Sequence, residues 1–149
     1  MAQSTKIHWH LVFMAAFGIL VLLVLAFVLF VAFYAHLMDP THDQAYYSEF
    51  AQKTGVPFVF FFAPLPIFLL VRWVGRKAKG KAMTHAVLII AINLILDVTI
   101  TTLAGQAGDL FKLGHVLAQL AKLAAALLGG WAAQRESSGA ENAPVKMAV

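Results

Sequence analysis

The sequence predicts an all-α, polytopic membrane protein, in which four transmembrane helices form a bundle and a short helix lies on the outer membrane surface. Hydrophobic residues make up 61% of the 149 residues and charged residues only 12%, against about 25% charged residues in a typical soluble domain. Four long apolar runs alternate with short polar segments. Lysine and arginine concentrate between the second and third runs, an asymmetry that commonly sets the orientation of a membrane protein.

The first two apolar runs predict the first two spans. Residues 11–35 carry no charge and are long enough to cross a hydrocarbon core of about 30 Å. This run exceeds the apolar region of a signal peptide, about 7–15 residues, so we expect it to be retained as an anchor. Residues 56–74 form the second span, and Pro64 and Pro66 near its middle predict a kink.

The remaining two runs complete a single transmembrane domain over residues 1–133. Residues 86–104 and 113–131 are each long and apolar enough to form a span. Residues 134–149 are mostly small and polar, and this composition predicts a disordered cytoplasmic tail.

The polar segment between the first two spans predicts the outer interfacial helix. Thr41 and Gln44 match a capping box, and Gly55 is a residue type that often ends a helix. Between them, apolar residues recur at helical spacing, which is typical of a helix lying on a bilayer surface.

Five basic residues predict a lipid-facing basic loop on the cytoplasmic side: Arg72, Arg76, Lys77, Lys79 and Lys81. With four spans, both termini then lie in the cytoplasm, and we expect the chain in a bacterial inner membrane with the lipid bilayer as its first partner. The three tryptophans fall at the predicted inner interface, and the three tyrosines fall at or near the outer one. Topology thereby accounts for the net charge of +4, and no nucleic-acid partner is expected.

Polar side chains interrupt the last two apolar runs at helical spacing. They fall on one face of each span: Asn93, Asp97 and Thr101 on the third, and His115, Gln119 and Lys122 on the fourth. Ionisable residues within a span are costly and commonly functional, so this set is the candidate intramembrane polar site.

The depths of Asp97 and Lys122 predict an ion pair between them. At 1.5 Å per residue, Asp97 lies about 10 Å and Lys122 about 13 Å below the outer ends of their spans. The connection is short, so the two helices should be antiparallel neighbours. We expect Gln119 and Thr101 to border the pair on its outer side, and Asn93 on its inner side. An unpaired charge costs roughly 2.5–3.5 kcal/mol at the centre of a span, which favours pairing.

Two functions from different classes are compatible with this site. The first is the handling of a small solute or ion, with Asp97 as the titrating group and Lys122 as its counter-charge. The second is a non-catalytic accessory or assembly subunit, in which the pair fixes two helices in register. We expect either a homo-oligomer or a membrane-protein partner.

A stripe of small residues on the fourth span permits close helix approach: Gly114, Ala118, Ala121, Ala125 and Gly129. It serves either an oligomer interface or packing within the bundle, and we favour packing because such stripes are common there.

The histidines raise a third hypothesis, a haem- or metal-binding redox protein. Histidines near both faces of a four-helix bundle resemble the arrangement in di-haem membrane cytochromes of the b type, but the inner histidines barely enter their helices. The candidate ligands of haem or a divalent metal are His36, Asp39, His42 and His115. Their spacing matches no strong motif, so no cofactor is expected. The chain has no cysteine and no nucleophile–base pattern, which favours a protein that is not an enzyme.

Overall fold

The computed structural model describes residues 7–78 and 80–141, and every regular element in these ranges is a helix. The elements are α1 (Trp9–Phe33, continued by a π-helical turn over Tyr34–Met38), α2 (Gln44–Phe62), α3 (Pro64–Lys77), α4 (Ala82–Leu103), a 3₁₀ turn (Ala107–Phe111) and α5 (Leu113–Glu141). Three of these helices are long and apolar enough to cross a membrane, and the bent pair α2–α3 makes a fourth if it counts as one span. The predicted all-α bundle of membrane-spanning type is confirmed.

The predicted kink in the second span lies between α2 and α3, which meet at an angle of 43°. Ala63 separates the two helices, and Pro64 opens α3. Proline fits the first turn of a helix because the backbone N–H there has no partner within the helix. Pro57, in contrast, lies inside α2.

The polar segment before the second span is the first part of α2, and no separate short helix precedes that span in the described residues. Helix α2 does not end at Gly55 but continues to Phe62. The helix begins one residue after Asp43, whose Oδ1 accepts a hydrogen bond of 3.0 Å from the Tyr46 N–H. The cap is therefore Asp43 rather than Thr41. Gly55 packs near the Phe27 ring, where a small residue permits close approach.

The segment predicted to be a disordered tail from Gln134 is helical as far as Glu141, while residues 142–149 lie outside the described residues. The Glu136 carboxylate forms ion pairs with Arg72 and Arg76 of α3. These contacts join residues sixty or more positions apart and hold the last turns of α5 against α3.

The buried core fills one half of the bundle, the end that holds the start of α1, α3, the start of α4 and the second half of α5. We call this end the packed half. Its largest fully buried side chains include Val12, Ile19, Ile67, Val71 and Ile89. Two glycines bring helices together there: a Cβ on Gly129 would lie 2.7 Å from the Phe68 carbonyl oxygen, and one on Gly130 would lie 2.7 Å from the Ala86 Cβ.

The small-residue stripe of α5 faces the interior of the bundle along much of its length. Ala118, Ala125 and Gly129 are buried within the single chain. Packing within the bundle therefore accounts for most of this stripe. The opposite kind of surface occurs on α1, where Phe13, Phe17 and many other large apolar side chains are exposed, as contact with lipid requires.

Candidate functional site

A cavity of about 470 Å³ lies in the other half of the bundle, which we call the cavity half. Its wall combines α1, α2, α4 and α5, and the segment between α4 and α5 contributes Gln106 and Asp109. The side of α1 is apolar, with Leu23 and Phe27 among its lining residues. Pockets of about 300–1,000 Å³ with a few convergent polar groups are typical of small-molecule sites.

The polar side of the cavity is centred on an ion pair between α4 and α5. The Lys122 Nζ donates a hydrogen bond to the Asp97 Oδ2, which is the contact that the depth arithmetic predicts. The Lys122 side chain is only 3% exposed and that of Asp97 is 19% exposed. The carboxylate therefore faces the cavity more openly than the ammonium does. The contact is a structural fact, and its functional role stays a prediction.

Gln119 connects this pair to His115 one helical turn away. The Gln119 Nε2 donates to the Asp97 Oδ2 at 3.0 Å and lies 3.1 Å from the His115 Nε2. With Nε2 donating to both, the Gln119 Oε1 is buried and has no partner within the described residues. The amide orientation follows from this network, because the opposite orientation would set two acceptor oxygens against each other.

Thr101 and Asn93 extend the polar face of α4 in opposite directions from Asp97. Thr101 lines the cavity beside Asp97. Asn93 is 1% exposed, does not line the cavity, and neither polar atom of its side chain has a hydrogen-bond partner in the described part of the chain. Buried polar groups are almost always satisfied, so such an orphan amide marks a feature that folding alone does not explain. The structure thus brings five of the six predicted polar residues to the cavity and leaves Asn93 beneath it.

The described residues of the predicted basic loop lie in different environments. Arg72, Arg76 and Lys77 belong to α3, not to a loop, and the two arginines bind Glu136. Hydrogen bonds from Arg76 and Arg72 lower the pKa of the Glu136 carboxyl, which lies beyond the predicted fourth span. The Lys77 ammonium lies 4.0 Å above the centre of the Trp73 ring. Lys81 is half-buried at the start of α4.

Intramolecular partners thus hold Arg72 and Arg76, and the contact of the basic cluster with lipid stays a prediction. Lys79 lies outside the described residues.

The predicted ligands of haem or metal do not assemble into a site. Asp39 and His42 form an ion pair of 3.1 Å, and the His42 ring stacks on Tyr46 with 3.9 Å between ring centres. His36 is exposed, and His115 belongs to the cavity. Within residues 7–78 and 80–141, no three His, Asp or Glu side chains lie close enough to hold a metal ion. The Asp39 Oδ1 also accepts a hydrogen bond of 3.1 Å from the Thr41 hydroxyl, so local contacts account for Asp39 and His42.

Sequence reasoning missed the role of His85. This residue is fully buried, its Nδ1 lies 2.9 Å from the Lys81 carbonyl oxygen, and its Nε2 accepts a hydrogen bond of 3.2 Å from the His8 N–H. Both ring nitrogens are thus engaged, and His85 fastens the start of α1 to the start of α4. Its position eight residues before Asn93, on the same helix face, was the available signal.

The site combines a carboxylate, an ammonium, a carboxamide, an imidazole and a hydroxyl around one partly open cavity. These side chains supply hydrogen-bond donors and acceptors and one charge of each sign to a cavity of small-molecule size. The site has no nucleophile activated by a base and, in the described residues, no metal-ligand cluster. No protein-family model, curated protein sequence or solved structure matches this chain.

Proposed function

We propose that this protein handles a small solute or ion within the membrane, at the cavity that Asp97 and Lys122 share. One observation carries the proposal: the ion pair forms part of the wall of a cavity of about 470 Å³. A pair whose only task is to join two helices gains most from a dry, close-packed surrounding with all its hydrogen bonds made. Here the carboxylate borders a partly open cavity, and the neighbouring Gln119 Oε1 lacks a partner among the described residues.

The division of the bundle supports the same function. The packed half supplies a rigid core, whereas the cavity half holds the titratable side chains. Functional groups are commonly less well satisfied than the scaffold that supports them. In the proposed role Asp97 exchanges a proton or cation with the cavity, and Lys122 neutralises the carboxylate when the site holds no substrate.

The test is proton flux in proteoliposomes, measured with a pH-sensitive dye after a pH jump, with Na⁺ and K⁺ on both sides. The wild-type protein should dissipate the pH gradient faster than empty liposomes, and Asp97→Asn should abolish this activity. The double variant Asp97→Asn, Lys122→Met removes both charges and should fold without restoring flux. Glu136→Gln is the matched control, because it alters an ion pair outside the cavity.

The outcomes separate the two classes of function. A folded double variant with wild-type flux would exclude Asp97 as the working residue, and a wild-type protein without flux would exclude the proposal itself. If Asp97→Asn blocks folding and the double variant recovers both folding and wild-type flux, the pair fixes helix register, as in an assembly subunit.

A further inference from the structure

Two carboxylates line the cavity, and only that of Asp97 is largely buried: its side chain is 19% exposed, against 45% for Asp109. Four titratable side chains line the cavity within the described residues: Asp97, Asp109, His115 and Lys122. Asp109 already pairs with Lys112, with 2.6 Å between the Lys112 Nζ and the Asp109 Oδ1. The lining residues of α1 and α2 include no ionisable side chain. At Asp97, the negative charge of one carboxylate is therefore balanced by the positive charge of the Lys122 ammonium.

The residues that line the cavity together with Lys122 carry oxygen atoms that have no hydrogen-bond partner in the described residues. Within the described residues, both hydrogen bonds to the Asp97 carboxylate go to Oδ2, one from Lys122 and one from Gln119, so Oδ1 accepts none. The Gln119 Oε1 is buried without a partner, and Thr101 adds a hydroxyl to the same wall. Carboxylate, amide and hydroxyl oxygens are the ligands that hard cations prefer.

We propose that Lys122 acts as a tethered cation, which occupies the Asp97 site until a monovalent cation from the cavity replaces it and releases its proton. This inference rests on the proposed function and names its substrate class. The Lys122 side chain is only 3% exposed. When the ion pair opens, water therefore cannot solvate the charged ammonium at this position. A second positive charge beside it would leave the buried site with an unbalanced charge.

Charge balance then fixes the stoichiometry. Before exchange, Asp97 carries one negative charge and Lys122 one positive charge. After exchange, the cation carries the positive charge, Lys122 is a neutral amine, and its proton leaves through the cavity to water. One cation enters for each proton released, so binding and proton release are obligatorily linked.

The experiment counts protons released on cation binding to the full-length protein in nanodiscs. NaCl or KCl is titrated calorimetrically against choline chloride of equal ionic strength, in buffers of different ionisation enthalpy. The titration runs from pH 8 to 9.5, above the usual titration range of imidazole. We expect about one proton per cation, and a dissociation constant that falls by about tenfold for each unit of pH while Lys122 is protonated.

Two substitutions of Lys122 give opposite expectations. Lys122→Met leaves the Asp97 carboxylate free, so cation binding should persist, lose its pH dependence and release no proton. Lys122→Arg keeps a positive charge at every pH used, so cation binding should be lost. Asp97→Asn should also lose binding, while Glu136→Gln should bind and release protons as the wild type does.

Three results would overturn the inference: no binding of Na⁺ or K⁺ to the wild-type protein, binding without proton release, or unchanged binding in Lys122→Arg. The wild-type proton count decides the matter even if a variant fails to fold. Asp97-dependent proton flux in liposomes without cation binding would refute the tethered-cation mechanism and leave the proposed function standing. Loss of both would refute the two together.

Discussion

The two halves of this bundle each contain an ion pair between helices, and the surroundings differ. In the packed half, Glu136 binds Arg72 and Arg76 at the edge of the bundle, where the side chains are about one-third to one-half exposed. In the cavity half, Lys122 is almost fully buried against Asp97 and a cavity lies beside them. Exposed pairs contribute little stability, whereas a buried charge depends on its partner. The same type of contact is thus dispensable in one half and critical in the other.

The largest effect is expected from breaking the buried pair on one side only. Asp97→Asn leaves the Lys122 ammonium without its counter-charge, and removing one member of a buried pair typically costs about 3–5 kcal/mol. Thermal unfolding in detergent, followed by tryptophan fluorescence, should show a large loss. Adding Lys122→Met should recover most of it. Two single losses that simply add in the double variant would contradict the coupling of these residues.

The second effect probes the close helix contact of the packed half. A Cβ on Gly129 would lie 2.7 Å from the Phe68 carbonyl oxygen, so Gly129→Val forces α5 away from α3. Overpacking of this kind commonly costs about 1–3 kcal/mol. The same unfolding assay measures it. Gly18→Ala is the matched control, because no atom lies within 4 Å of a Cβ there, and it should be neutral or stabilising.

An intermediate effect of opposite sign is expected at Asn93. Its carboxamide is buried and lacks partners in the described residues, and an unsatisfied group of this kind costs about 1–3 kcal/mol. Asn93→Leu should therefore raise the unfolding temperature. A gain in stability with a loss of flux would assign Asn93 to the site. A loss of stability would show that this amide has partners that the single chain does not provide.

The smallest effect is expected at the exposed pair. Glu136→Gln should shift the unfolding temperature far less than Asp97→Asn. Because the pKa of Glu136 is lowered in the folded protein, the stabilisation is complete above the usual pKa of 4.5 and declines as the pH falls through the lowered value. Unfolding scans of the wild type and Glu136→Gln should therefore converge in acid. A difference that persists at the lowest pH would point to another role for this side chain.

Local sequence signals predicted the fold class and the central contact of the site. Both the bend at Pro64 and the approach of Lys122 to Asp97 follow from helix geometry. Proline lacks the backbone N–H that would continue the helix. Lys122 and Asp97 lie at similar depths below the ends of their spans. The ends of the helices were predicted less well, because they depend on contacts between residues far apart in the sequence. Gly55 does not end α2, and Glu136 extends α5 by binding arginines on another helix.

The cavity itself was not predictable from the sequence. It depends on how α1 and α2 splay from α4 and α5, and no periodicity reports this separation. Leu23 and Phe27 look like ordinary lipid-facing residues in an apolar run, yet they line the cavity. The burial of His85 could have been predicted, because it shares a helix face with Asn93.

The close contact of Gly129 with α3 has a kinetic consequence. In the packed half, Ile19, Ile67 and Ile89 are fully buried, and a Cβ on Gly129 would lie 2.7 Å from the Phe68 carbonyl oxygen of α3. Under the proposed function, a species that enters the cavity half meets the buried side chains of the packed half, which favours a carrier over an open pore. Passage to the other side then requires the helices to rearrange once per turnover, on the microsecond-to-second scale of such motions. Flux through this protein should saturate with concentration, and electrical recordings should show carrier currents without unitary steps.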